Sequence, residues 1–148
     1  ILGSETDTLD FTGKIVKSAP INTLNEGSIN KILIDFIGDI MQEPPMFSAL
    51  KYNGQRLYKL ARQGIVVPRK KRLVKIYDIK LLGFTSNTIK IRVLCGRGTY
   101  IRSLSRDIAV RLGTVGHLKS LKRTRIGNYN ENVCITMKDF PKWLSVRV

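Results

Sequence analysis

The sequence predicts a single domain of the α/β class, in which helices and strands both occur and no internal repeat is seen. Two observations carry this prediction. Residues 73–82 and 88–95 show the alternation of strands and are joined by turn-forming residues, as in a hairpin. Residues 25–37 place apolar side chains at helical spacing. The 148 residues of the chain are enough to bury one hydrophobic core.

The first elements are a loop and a short extended piece. Residues 3–13 are rich in turn formers and carboxylates, which predicts a loop, and residues 14–17 follow as the extended piece. Asp7 and Asp10 fit an acid–base pair. They fit turn caps equally well, because aspartates in such loops bond to their own backbone.

The helix predicted between residues 25 and 37 has one clearly apolar face. Asn25 or Ser28 can cap its start, and Gly38 can end it. Its predicted role is core packing, through Ile29, Ile32, Leu33, Phe36 and Ile37.

A basic segment with interspersed aromatic residues follows Pro44 and Pro45. Its pattern predicts a short helix closed by Gly64. A solvated amphipathic helix would look the same, but the lack of acidic residues from 44 to 77 favours RNA, whose bases stack on rings and whose phosphates bind cations. The candidate RNA-binding residues are Lys51, Tyr52, Arg56, Tyr58, Lys59, Arg62, Arg69, Lys70, Lys71 and Arg72, with Lys122 and Arg123 from a later basic run.

The second strand of the predicted hairpin leads through a glycine-rich turn into a helix that ends near Gly113. Thr99 is the predicted N-cap. Tyr100 and Arg102 then lie where the strand passes into the helix, beside free backbone N–H groups that attract anions. This position fits a site for a phosphate or a carboxylate. It also fits a plain connection with a partly buried tyrosine and a surface arginine.

The remaining residues are less strongly patterned. Residues 118–126 fit a basic strand or a short helix, and the glycine–asparagine turn that follows favours the strand. Thr136 and Asp139 resemble a capping box, which predicts a final helix.

Charge and composition restrict the function classes. The net charge is +15, and residues 44–130 carry 20 basic against 2 acidic side chains. Such a block indicates a polyanionic partner, and a ribosomal-type structural RNA-binding protein fits it as well as an enzyme. The sequence contains no long apolar run, 2 cysteines and 1 histidine. We therefore expect no membrane span, no metal and a reducing, cytoplasmic environment.

Four segments resemble the TruB family of tRNA pseudouridine synthases, in that family's order and spacing, and together they cover nearly the whole chain. They are L-G-S-E-T-D-T-L-D-F-T-G from residue 2, E-P-P-M-F-S-A-L-K-Y-N-G-Q-R-L-Y-K-L-A-R-Q-G-I-V-V-P-R from residue 43, G-T-Y-I-R-S-L-S-R-D-I-A-V-R-L-G from residue 98, and H-L-K-S-L-K-R-T-R-I-G from residue 117. The resemblance implies a mixed α/β pseudouridine-synthase fold on a largely antiparallel sheet with flanking helices. It also implies an RNA-binding thumb at about residues 44–72, of the bacterial, stand-alone type.

The implied activity is isomerisation of the T-loop uridine of tRNA to pseudouridine-55, without cofactor or metal. The target base is flipped out of its stack, and an aspartate nucleophile breaks the C–N glycosidic bond. Tyr100 matches the family's pocket tyrosine, which packs on the base and serves in proton transfer. Arg102 matches the arginine that pairs with the catalytic aspartate, and Leu121 matches a residue lining the uracil pocket.

One departure concerns the nucleophile. In the family it lies in a motif like G-x-L-D-P-x-A-T-G, upstream of a T-D-T-x-D-x-x-G loop. The residues around Asp10 fit the downstream loop, and Asp10 is not followed by proline. We therefore do not assign Asp10 as the nucleophile. We expect the nucleophilic aspartate and the first strands to precede Ile1.

On this interpretation residues 1–148 are a partial catalytic domain without the nucleophilic aspartate and without a C-terminal PUA-type module. We expect such a chain to be inactive alone and to expose an apolar face or edge of its sheet. The full-length protein is expected to be monomeric. The alternative function is that of a non-catalytic basic RNA-binding protein.

Overall fold

The computed structural model describes residues 1–146. The elements in chain order are β1 (Ser4–Thr6), β2 (Ile15–Ser18), α1 (Glu26–Ile34), β3 (Gly38–Gln42), β4 (Lys51–Tyr52), β5 (Gln55–Arg56) and α2 (Leu57–Arg62), then β6 (Arg72–Phe84), β7 (Ile89–Cys95), α3 (Ile101–Arg111), β8 (Arg125–Ile126), β9 (Tyr129–Asn130), a 3₁₀ turn (Glu131–Val133) and α4 (Phe140–Ser145).

The central sheet has three antiparallel strands in the order β3–β6–β7. Ile40 of β3 pairs with Val74, and Ile79 pairs with Val93 of β7. Helices α1 and α3 supply the other side of the core, whose buried members are Ile29, Leu33, Phe36, Ile76, Ile79, Leu104 and Ile108. The predicted α/β class, the antiparallel sheet with flanking helices and the β6–β7 hairpin are confirmed.

Among the residues that the structure describes, none covers the opposite face of this sheet. Because side chains alternate between the two faces of a strand, this face mixes cations with apolar groups. The apolar side chains are between 42 and 65% exposed and comprise Met41, Leu73, Tyr77 and Leu94. The predicted uncovered apolar face is therefore present.

Helix α1 begins as predicted and ends earlier. The Asn25 Oδ1 accepts the N–H of Ser28 at 2.8 Å, which confirms an asparagine cap. The chain then tightens into turns in which the N–H of Ile37 bonds to Ile34 O. Gly38, predicted to end the helix, instead begins β3 with a φ of 108°.

The basic segment packs around a small apolar cluster of its own. Met46, Leu57 and Leu60 are buried there, with partly buried apolar neighbours. Strands β4 and β5 form a hairpin that turns at Asn53 and Gly54, both with positive φ. This hairpin was not predicted from the sequence, whereas α2 matches the short helix that was.

Three local predictions need correction. Residues 3–13 are not wholly a loop, because β1 lies within them and pairs with β2. Only Arg125–Ile126 of the predicted 118–126 strand is extended and paired, and its partner is β9. Residues 119–146 are exposed throughout, so this stretch lacks the neighbouring strand that a longer pairing needs.

The final helix predicted from the capping pattern is present as α4, but its N-cap is Asp139 and not Thr136. The N–H of Asp139 donates to the Thr136 Oγ1 at 3.2 Å, and that hydroxyl donates to the Asp139 carboxylate at 2.6 Å. The reciprocal contact is local, which is why the sequence identified it.

Candidate active site at the start of helix α3

The turn before α3 places Tyr100 at the N-cap position. The Thr99 hydroxyl donates to Gly96 O at 2.9 Å, so Thr99 closes the turn. The prediction that Thr99 caps the helix is wrong, because the cap position falls one residue later. Tyr100 has an extended backbone there and makes no capping hydrogen bond with its side chain.

A glutamine from a distant strand holds the backbone of this N-cap residue. The N–H of Tyr100 donates to the Gln42 Oε1 at 2.8 Å. Gln42 is the last residue of β3 and is 1% exposed. The first N–H groups of a helix have no partner within the helix, so this contact satisfies one of them. Gln42 was not identified from the sequence, since 58 positions separate it from Tyr100.

The Arg102 guanidinium joins two segments that are far apart in the sequence. Its Nη1 donates to Thr8 O at 3.2 Å, and its Nη2 donates to Phe47 O at 2.9 Å. Thr8 belongs to the carboxylate-rich residues 3–13, called the acidic loop, and Phe47 belongs to the base of the basic segment, residues 44–72. The guanidinium is thus held between the two, on the first turn of α3.

Residues 42–47 support the whole first part of α3. The hydroxyl of the buried Ser103 donates to Glu43 O at 2.8 Å, and the Arg106 Nη2 approaches the same oxygen at 3.5 Å. Pro44 and Pro45 are fully buried next to these contacts and have fixed φ. The Glu43 carboxylate also pairs with the Arg69 guanidinium. This ion pair ties the two ends of the basic segment together.

The acidic loop is a compact turn with little room. Asp7 Oδ1 accepts the N–H of Lys14 at 2.9 Å, so Asp7 is a turn cap, one of its two interpretations. A Cβ at Gly13 would lie 2.2 Å from the Thr8 Oγ1 and 2.5 Å from the Asp7 Oδ1. A glycine is therefore needed for the chain to pass so close to the side chains of Thr8 and Asp7. Asp10 lies in the same loop and forms a parallel bridge with Leu118.

The candidate RNA-binding residues line the surface of the basic segment. Most are exposed, and the Arg62 guanidinium lies 5.5 Å from the centre of the Tyr58 ring. Arg56 donates to Ala49 O, which fixes its side chain against the segment. Arg69 is only 21% exposed because of its pair with Glu43, and its contact with RNA stays a prediction.

The remaining predicted site residues lie in the exposed C-terminal stretch. Leu121 is 58% exposed, and Lys122 pairs with Glu131. Arg123 is exposed. The structure therefore brings Tyr100 and Arg102 together on α3, but it does not bury Leu121 with them.

Two features are absent from residues 1–146. No helix there has both the length and the apolar character to cross a membrane. No group of three His, Cys, Asp or Glu side chains in this part of the chain is arranged to hold a metal ion.

Two family models match the chain. The model of the TruB family pseudouridylate synthase N-terminal domain matches residues 1–101, and that of the tRNA pseudouridylate synthase B C-terminal domain matches residues 102–146. The boundary between them falls within the first turn of α3.

The chain is similar to curated proteins named tRNA pseudouridine synthase B. It is 51% identical to the protein of Francisella tularensis subsp. novicida (strain U112) over 129 residues, 86% of this chain and 43% of that protein. It is 47% identical to the protein of Wigglesworthia glossinidia brevipalpis over 131 residues, 88% of this chain and 40% of that one. The chain thus spans less than half the length of these relatives.

Two solved structures share the fold. A chain in the crystal structure of a Cbf5-Nop10-Gar1 complex aligns with a TM-score of 0.65 and 30% identity, over 86% of this chain and 35% of that one. A chain in the structure of an H/ACA RNP bound to a substrate RNA containing 2'-deoxyuridine aligns with a TM-score of 0.60 and 26% identity, over 86% and 33%.

Proposed function

Because the chain belongs to the TruB family of pseudouridine synthases, we propose that its protein isomerises the T-loop uridine of tRNA to pseudouridine-55. The observation that best supports this proposal is the position of Tyr100 and Arg102. They share the start of α3, and the Arg102 guanidinium lies between the acidic loop and the base of the basic segment. The partner is tRNA, and the full-length protein acts as a cytoplasmic monomer.

The reaction breaks one bond to the sugar and makes another. A carboxylate nucleophile attacks the uridine nucleoside, and the bond between N1 and C1' breaks. The uracil turns, C5 bonds to C1' as the bond to the carboxylate breaks, and the proton on C5 leaves while N1 gains one. The atoms of substrate and product are the same, so no oxidant or co-reactant is required. The residues of this chain bind and orient the uridine and move a proton.

Arg102 is proposed to hold the nucleophilic carboxylate. A guanidinium has five N–H donors, and two are used by Thr8 O and Phe47 O, so about three remain for an anion. The two carbonyls fix the plane of the guanidinium before the anion binds. A guanidinium fixed in this way favours the ionised form of a carboxylate that it contacts and keeps that carboxylate in one orientation.

Tyr100 is proposed to pack on the flipped uracil and to take part in the transfer of the C5 proton. Its side chain is partly buried and makes no capping hydrogen bond to α3. Leu121 is proposed to line the uracil pocket. Its present exposure means that the C-terminal stretch must contact the rest of the site when RNA is bound.

The basic segment, residues 44–72, is proposed to be the thumb that holds the T-stem loop. It has its own apolar cluster, and its two ends are joined by the Glu43–Arg69 pair. A compact unit with an anchored base can present lysines and arginines to phosphates while Tyr52 and Tyr58 meet unstacked bases. Lys122 and Arg123 extend the same basic surface in the proposal.

We also propose that Asp10 is not the nucleophile and that the nucleophile is an aspartate outside residues 1–148. On that basis the chain of 148 residues alone is expected to bind tRNA weakly and to form no pseudouridine. The measurement is release of tritium from the uridine C5, since every isomerisation loses that hydrogen. Tritium release by a sample whose intact mass confirms a start at Ile1 would contradict this expectation.

The same assay tests the proposed function in the full-length protein. It should release tritium from a tRNA transcript labelled at the uridine C5, and it should release none when the T-loop uridine is replaced by cytidine. Binding of both transcripts with no release from either would instead support the alternative, a non-catalytic RNA-binding protein.

A further inference from the structure

We propose that Gln42 is a positioning residue that fixes Tyr100 in the site, because its buried side-chain oxygen accepts the N–H of Tyr100. The effect on turnover rests on the proposed function. The effect on the position of Tyr100 does not, and it can be measured without activity.

The contact holds the N-cap residue of a helix that has no side-chain cap. Tyr100 occupies the N-cap position without capping α3 through its own side chain, and the Thr99 hydroxyl is used by Gly96 O. Gln42 supplies the acceptor for the Tyr100 N–H from the end of β3. Loss of that acceptor would leave a partly buried N–H unsatisfied. The backbone at Tyr100 would then move to find another partner.

Gln42 differs from the other groups that support this turn of α3. Arg102 and Ser103 bond to the backbone oxygens of Phe47 and Glu43, which any residue at those positions would supply. Among these three contacts, only the one to Tyr100 uses a side chain of residues 42–47. Substitution at position 42 therefore removes one support and leaves the other two in place.

The two ends of the Gln42 amide are not equally engaged. Its Oε1 holds Tyr100, whereas its Nε2 is buried and has no hydrogen-bond partner within residues 1–146. Glutamate keeps an acceptor oxygen in either protonation state and has nearly the same shape. Methionine has a similar length and offers only a weak acceptor. The pair Gln42→Glu and Gln42→Met therefore separates the hydrogen bond from the packing.

The first test uses fluorine NMR on the chain labelled with 3-fluorotyrosine. The chain has 5 tyrosines, so each reports on its own surroundings, and loss of one signal in Tyr100→Phe assigns Tyr100. In Gln42→Met the Tyr100 signal should shift or broaden while the other four stay in place. In Gln42→Glu it should stay near its wild-type position.

Leu33→Ala is the control, because Leu33 is buried in the same core and lies on α1. It should lower stability and leave the Tyr100 signal unmoved. The proposal is overturned if Gln42→Met leaves the Tyr100 signal unchanged. It is equally overturned if Leu33→Ala moves that signal as much, or if all five signals change together in Gln42→Met.

The second test is turnover in the full-length protein. In Gln42→Met, kcat should fall at least about tenfold with KM for tRNA changed less than about threefold. The reason is that a small misplacement of a reacting group lowers the rate strongly. Gln42→Glu should restore kcat to within about threefold of wild type. An equal fall in both variants would contradict the proposal. A wild-type protein without turnover would contradict the proposed function, and the NMR result would then decide on Gln42 alone.

Discussion

Replacing Arg102 with alanine is expected to lower the single-turnover rate of the full-length protein by about a hundredfold or more, with tRNA affinity changed less than about threefold. The physical reason is that the guanidinium is proposed to meet the nucleophile and not the RNA backbone. Arg102→Lys should recover little, since one ammonium cannot contact Thr8 O, Phe47 O and a carboxylate in the same planar arrangement.

Arg111→Ala is the matched control for this experiment. Arg111 lies on the same helix, is exposed, and pairs with Asp35 at 3.4 Å. Its loss removes the same charge and an exposed ion pair of small energetic value, so rate and affinity should both stay near wild type. Rate and affinity that fall together in Arg102→Ala would contradict the account, because that is the behaviour of a simple RNA binder.

The second large effect is expected on RNA affinity. The triple variant Lys59→Gln, Lys70→Gln and Lys71→Gln should weaken tRNA binding at least about tenfold at low salt. The slope of log Kd against log salt should fall by up to about three times the single-contact value. The reason is that fewer counterions are released on binding when fewer phosphates are contacted. All three side chains are exposed on or beside the basic segment.

A second triple variant, Lys80→Gln, Lys90→Gln and Arg92→Gln, separates location from net charge. These residues are exposed on β6 and β7, and the variant removes the same number of charges. Its affinity should change less than about threefold. Equal losses in the two triple variants would show that tRNA responds to the overall field of the protein, and the proposed thumb would then be wrong.

Elements fixed by short-range contacts were predictable from the sequence. The cap of α1 joins Asn25 to Ser28, and the capping contact before α4 joins Thr136 to Asp139. Strands β6 and β7 are neighbours in the chain, so their alternation and the turn between them were sufficient. The hairpin at Asn53 and Gly54 had a usable signal, because this dipeptide favours the positive φ values found there.

Elements that depend on distant partners were not predictable. Strand β3 is short and pairs with β6 across the whole basic segment, so its local pattern is weak. The 118–126 prediction holds only for Arg125–Ile126, because the turn pairs these two residues with β9 and the rest has no neighbouring strand.

The same distinction between short-range and long-range contacts applies to the candidate site. Spacing alone placed Tyr100 and Arg102 at the start of a helix and left a plain connection as the other possibility. The resemblance suggested their roles. The contacts of Arg102 with Thr8 and Phe47, and of Gln42 with Tyr100, join positions 94, 55 and 58 residues apart and required the structure.

The assignment of the chemistry to the start of α3 is tested most directly by the single-turnover rate of Asp10→Asn in the full-length protein. Asp10 is the aspartate of this chain whose surroundings superficially imitate the nucleophile motif. We predict a rate within about fivefold of wild type, because the acidic loop acts through the Thr8 carbonyl and the variant retains its backbone. A loss as large as that of Arg102→Ala would contradict the account and would identify Asp10 as the nucleophile.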